Sequence, residues 1–282
     1  METNYLAYLV LLSQLILLSY YYPKKIADRI KQLLQDYPPS TYPKLYPQSE
    51  AKLLAGQGLF KWLNWGILLL GTLVLCLVIY TLEQELKTAA QLAFIPLVLG
   101  LFQAIPYALL ELSNYQQLKV MRALNNQSRR QAELAPRNLF SFISPGKVFS
   151  AVVLFITCAV SMVYFENFTL SFDLIVLLSS MLLSNGLFVF LTINLLYGQK
   201  RDPHQSAADR AKMIRANLHS FVYTSILISV YFILNKSVDA FNWQHIEIIF
   251  NSLYWQFVIF LSTGTLLRGA RLDAINFEVY RA

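Results

Sequence analysis

Apolar residues run through this chain in long unbroken stretches, and charged residues are confined to the segments between them. Seven windows, 3–23, 62–82, 88–110, 148–165, 174–199, 216–235 and 248–267, contain no Asp, Glu, Lys or Arg. Each is at least 18 residues long. A helix rising about 1.5 Å per residue crosses a hydrocarbon core roughly 30 Å thick at that length. The windows are apolar on every side, without the alternation that a barrel strand needs. Lipid supplies no partner for a backbone amide, so each window predicts a helix that satisfies its own hydrogen bonds. The expected fold is all-α: a polytopic membrane helix bundle with seven transmembrane helices, over about 4–22, 63–82, 92–110, 148–165, 174–197, 217–234 and 248–267. They form a single membrane domain across 1–282.

The segments between the windows carry very different charge. The stretches 24–61, 111–147, 200–215 and 268–282 hold 21 of the 23 basic residues, and the alternate connections hold only Lys87 and Lys236. With acids included, the two sets carry +12 and −5, which makes the net +7. Basic residues beside membrane segments are retained on the cytoplasmic face. The expected topology therefore has the N-terminus out and the C-terminus in, with 111–147 as a cytoplasmic connector that carries six basic residues. The opening window has no basic stretch before it and no small-residue cleavage site after it, so it reads as a retained helix.

Composition adds exclusions. With 56% hydrophobic and 14% charged residues the chain does not suit a soluble globule. The basic excess is one-sided, which fits orientation and contact with anionic lipid head groups at the cytoplasmic face. No nucleic-acid partner is expected, because no recognition fold accompanies the basic residues. Cys76 and Cys158 fall within apolar windows and read as small hydrophobes. Small size and short outer loops point to a bacterial inner membrane.

Local patterns refine the picture. Ile26, Ile30, Leu33, Leu34 and Tyr37 recur at helical spacing among Lys24, Lys25, Arg29 and Lys31, predicting an amphipathic interfacial helix over 24–37 that lies in the head-group plane. The proline-rich 38–47 predicts an extended linker. Pro96 and Pro106 predict kinks in the third helix, with Gln103 near its middle. Leu139, Phe140, Phe142 and Ile143 predict a short interfacial helix, and Ser206 with Asp209 has the form of a capping box opening the sixth long helix.

Candidate chemistry is sparse. Neither metalloprotease nor serine-hydrolase spacing occurs, and no cofactor is expected. His219 is the one histidine in an apolar window, while Asp202, His204 and Asp209 match no ligand spacing. A coupled transporter would place charges inside its helices, and here none occurs. The best-supported expectation is a non-enzymatic, membrane-embedded regulatory or partner-binding subunit with its soluble surface in the cytoplasm. Candidate contacts for a cytosolic or membrane protein partner, or for lipid, are Arg129, Arg130, Arg137, Lys24, Lys25 and Arg29. The alternative is a transporter or channel for a neutral or apolar small molecule, through a polar cavity formed by Gln103, Ser184, Asn194, Thr224 and Gln256. An intramembrane enzyme is the third and weakest alternative.

Overall fold

The computed structural model describes residues 2–125, 138–198, 202–269 and 275–281, and all regular structure among them is helical. Seven helical stretches are long and apolar enough to cross a membrane: Asn4–Asp36, Ala51–Glu83, Ala89–Leu124, Pro145–Phe165, Phe172–Tyr197, Ala207–Val238 and Gln244–Arg268. Each contains one of the predicted windows or most of it.

The first stretch is a continuous rod made of α1 (Glu2–Ile16), a π-helical turn (Leu17–Tyr21) and α2 (Tyr22–Asp36). Pro23 accounts for the turn. In α-helical register its ring would meet the carbonyl of Ser19, four residues back. The chain widens instead, and the Tyr22 amide donates to Leu17 O, five residues back. In that register Leu18 O would look to the amide that Pro23 lacks, and the Tyr107 hydroxyl donates to it at 2.7 Å. The amphipathic segment predicted over 24–37 is thus helical, but it continues the first membrane helix rather than standing apart from it. In α2, Tyr22, Pro23 and Ala27 are buried.

Next come α3 (Glu50–Glu83), a single turn α4 (Ala89–Leu92) and α5 (Ile95–Leu124). Pro96 stands in the first turn of α5, where a missing amide costs nothing. The kink expected there is a break between two helices, and only Pro106 lies inside α5. The break leaves Ala93 O without a helical donor, because the Leu97 amide bonds Phe94 O. Asn251 Nδ2 supplies one at 2.7 Å, and Asn251 Oδ1 accepts from the Tyr231 hydroxyl at 2.8 Å.

The second half comprises α6 (Pro145–Phe165), α7 (Phe172–Tyr197), α8 (Ala207–Ala240), α9 (Glu247–Leu261) and α10 (Thr263–Gly269). Ser206 Oγ accepts from the Asp209 amide at 3.1 Å, which closes the predicted cap on α8. Helices α1, α3, α5 and α9 pack around Leu11, Leu15, Leu75, Val78, Leu99 and Ile248. Helices α6, α7 and α8 pack around Cys158, Met162, Leu174 and Met181, and α8 joins the two groups through α9.

The four longest rods all overshoot their apolar windows at the same end. At about 1.5 Å per residue, a helix of 34 residues, as α3 and α8 are, runs to about 51 Å, well beyond a core roughly 30 Å thick. The excess lies in 24–36, 50–61, 111–124 and 207–215, among the basic residues. At the opposite end α3 and α6 turn back tightly, with Glu85, Asn167 and Phe168 in the left-handed region that short reversals require.

That opposite end is fastened by two polar ties. Tyr8 donates its hydroxyl to Glu83 Oε1 at 3.0 Å, and Lys236 Nζ pairs with Glu166 Oε1 at 2.7 Å. Hydrogen bonding from Lys236, together with its charge, holds the Glu166 carboxyl below the usual carboxylate range. A carboxylate whose value is depressed by folding stabilises the fold above its unfolded value, and the contribution disappears as pH falls through the folded one. Thermal melts of the purified protein should therefore show Glu166→Gln less stable than the parent near pH 7. The gap should begin to close as pH falls below the ordinary carboxylate value of about 4.3 and vanish only below the lower folded one; a gap unchanged by acid until the protein unfolds would contradict the assignment.

Two further expectations are corrected at the basic end. The 38–47 linker is turned rather than extended, with Tyr42 N donating to Pro38 O and a 3-10 turn at Pro43–Leu45. The predicted interfacial helix after 138 is one 3-10 turn, Leu139–Ser141. Phe142 then packs against Leu196, Ile214 and Leu218, so this ring is buried in protein rather than in head groups.

Candidate functional site

The polar residues at membrane depth are dispersed. Gln103 is fully buried, and its Nε2 donates to Ser19 Oγ at 3.0 Å while its Oε1 accepts from Gln14 Nε2 at 3.0 Å. Gln14 Nε2 also donates to Pro96 O at 3.0 Å. Gln256 reaches α1 by a different route, with Nε2 donating to Val10 O at 3.1 Å and Oε1 accepting from Ser13 Oγ at 3.2 Å. Ser184 turns back to Ser180 O of its own helix, Asn194 is exposed and Thr224 is half-buried. Gln103 and Gln256 therefore each engage the first helix, whereas Ser184 and Asn194 belong to α7 and Thr224 to α8. Gln14 and Ser19 complete the buried network but were not singled out from the sequence. The signal available was an uncharged amide in the middle of the first window, at the same depth as Gln103.

Charged side chains converge instead at the basic end. A cleft of about 790 Å³ opens there between α2 and the end of the last membrane stretch. Lys25, Asp28, Arg29 and Gln32 line one side at spacings of three and four, so they share one helix face. Phe260, Gly264, Leu267 and Arg268 line the other, again at three and four. Arg29 Nη1 donates to Leu267 O at 2.9 Å, and Arg268 Nε donates to Gly264 O at 2.9 Å. The first bond places a guanidinium on a carbonyl in the last turn of α10, where a cation also meets the negative end of the helix dipole, and the second ties Arg268 back to the first turn of its own helix. The Arg268 guanidinium stacks 4.6 Å from the Phe260 ring centre, and Lys25 Nζ lies 4.8 Å from that of Tyr21. Gly264 lets its neighbour approach: a Cβ there would fall 2.9 Å from the Tyr22 hydroxyl, which would have to move aside.

Arg268 also lines a second, smaller cleft of about 360 Å³ with Lys212, Arg215 and His219. One guanidinium thus stands between two basic recesses. His219 stands 5.8 Å from the Tyr223 ring and lines this cleft beside Lys212 and Arg215. Of the candidates named from sequence, Lys25 and Arg29 are in the larger cleft. Lys24 lies instead beside the Tyr20 ring at 5.8 Å. Arg129, Arg130 and Arg137 lie outside the described residues. Arg268 and Phe260 were missed, because nothing in the periodicity of 248–267 links that end of the chain to residue 25.

The acids near 202–209 are engaged by the C-terminal tail. Asp202 accepts from the Tyr280 hydroxyl and from the His204 amide, and Asp209 accepts from the Asn276 amide at 3.0 Å and from Lys212 at 3.3 Å. Burial, reinforced by Asp202, pushes the Tyr280 hydroxyl well above its ordinary value. The tail also touches the linker: Phe277 packs on Tyr37 with ring centres 4.0 Å apart, and Tyr42 donates to Glu278 at 3.1 Å. Among the described residues no three His, Cys, Asp or Glu side chains gather as a metal site would need. Comparison with protein-family models, curated proteins and solved structures gives no match to this chain.

Proposed function

We propose that this integral membrane protein is a non-enzymatic regulatory or partner-binding subunit of a bacterial inner membrane. Its N-terminus is outside, and its C-terminus and basic end are in the cytoplasm. One observation carries the reading. Four helical rods overshoot their apolar windows at a single end, and there the linker, the 202–209 loop and the C-terminal tail dock on one another. That end offers a structured surface, while the other offers short turns and two polar ties. The excess of basic residues on the same end supports its cytoplasmic placement.

A single-cysteine experiment tests the orientation. With Cys76 and Cys158 replaced by Ser, Glu85→Cys should react with a membrane-impermeant maleimide in intact cells, and Gln35→Cys only after permeabilisation. The reverse pattern would overturn the topology. In the same background, changing Arg129, Arg130 and Arg137 to Gln should abolish co-purification of a cytosolic partner at unchanged membrane level. Undiminished recovery of that partner would remove the connector from the binding surface.

A further inference from the structure

We infer that the cleft between α2 and α10 is a binding site for the phosphate group of an anionic membrane lipid, with Arg268 and Lys25 as its principal ligands. Three features of the cleft point to this chemistry. First, among the described residues its lining holds the cations Lys25, Arg29 and Arg268 and the acid Asp28. Second, Arg268 is held in place: its Nε is bound to Gly264 O and its guanidinium carbon lies 4.6 Å from the Phe260 ring centre. Its Nη1 and Nη2 bond no group among the described residues, leaving the fork that matches a phosphate free to bind. Third, Arg29 lines the same cleft and, through its bond to Leu267 O, ties α2 to α10, which fixes the two walls relative to one another.

The depth of the cleft selects lipid over a soluble phosphate. One wall begins at Tyr21, at the end of the first apolar window, and the other ends at Arg268, the residue after the last. Both walls therefore leave the apolar region at the cleft, where a phospholipid carries its phosphate. Tyr21, Phe260 and Leu267 supply apolar surface on the membrane side, and Lys25 and Arg268 supply charge on the other. At about 790 Å³ the space is within the range of small-molecule sites. Phosphate contact by a basic pocket between membrane helices is one of the ways such proteins recognise particular head groups. The inference requires the chain to span a membrane, but neither the orientation nor the partner binding proposed above. A failure of either leaves this site standing, and the converse holds too.

The test uses the full chain purified in detergent and titrated with dioleoyl phosphatidylglycerol, dioleoyl phosphatidylcholine or inorganic phosphate, binding being read by native mass spectrometry and by shift in melting temperature. The expected result is saturable binding of phosphatidylglycerol, weakened about tenfold or more in Lys25→Gln/Arg268→Gln. The double change Lys31→Gln/Lys52→Gln, which removes as much charge from outside the cleft, should alter it less than about twofold. Arg268→Lys keeps the charge and loses the fork, so it should fall between, and it serves if the double variant does not fold. Equal losses in the two double variants would reduce the site to general attraction and overturn the proposal. Equal binding of phosphatidylcholine would do the same. Displacement of phosphatidylglycerol by millimolar inorganic phosphate would make free phosphate the ligand and overturn the assignment to lipid.

Discussion

Gly100→Ala destabilises the protein by about 2 kcal/mol or more, the upper part of the range for overpacking a filled interior. Helix propensity alone predicts the opposite sign, since alanine in place of glycine inside a helix stabilises by up to about 1 kcal/mol. Contact decides. A Cβ at Gly100 would stand 2.2 Å from Cε2 and Nε1 of Trp255 and 2.3 Å from its Cδ1. What it meets is the flat body of an indole, not the loose tip of a flexible chain. Trp255 packs on the cluster of Leu18, Tyr22 and Ile259, and its ring lies 5.7 Å from that of Tyr254. Retreat of the indole would disturb the widened turn of the first rod, because Tyr107, which bonds Leu18 O, belongs to the same cluster. Chemical unfolding in detergent measures the loss, and Gly100→Ala combined with Trp255→Leu should recover most of it. A single variant as stable as the parent would show that α5 and α9 do not approach as described.

Gln14→Leu should cost about 1–3 kcal/mol, the penalty for a buried polar group left without its partner. Gln14 and Gln103 are both fully buried. Removing Gln14 takes the donor from Gln103 Oε1, which is fully buried. The paired change Gln14→Leu/Gln103→Leu should be less harmful than the single one, because it exchanges two amides for two apolar side chains of similar size. Ser19 loses its donor in that variant, but a hydroxyl can rotate to a carbonyl of its own helix. Interhelical hydrogen bonds in membranes average only about 0.6 kcal/mol, so a value near the top of the range would mark this network as unusually dry. Unfolding free energies of the single and double variants form the cycle. A double variant worse than both singles added together would refute the account, and near-zero cost in every variant would indicate a hydrated seam.

Much of the architecture was legible in the distribution of charge. Burying one Lys or Asp in hydrocarbon costs several kcal/mol, so a window with no charge is a strong signal, and the seven windows reappear as seven helical stretches. The Ser206 cap was equally readable, because it depends on residues three apart. Pro96 was misread as a kink since its ring is compatible with either an interior bend or a first turn, and the choice depends on whether α4 ends before it. The linker and the turn after 138 were misread because Tyr42 and Phe142 find partners in Glu278 and Leu196. Neither partner is near in sequence.

The same division holds for the candidate site. The sequence alone established that cations gather at alternate connections, because each crossing reverses direction and the cost of transferring charge keeps those residues out of the core. It could not establish that Arg29 meets Leu267, that Gln256 meets Val10, or that Arg268 stands between two recesses. Helices in lipid gain little hydrophobic advantage from one neighbour over another. Their arrangement follows from small gaps such as Gly100 and Gly264 and from single hydrogen bonds, which exist only once the helices are side by side.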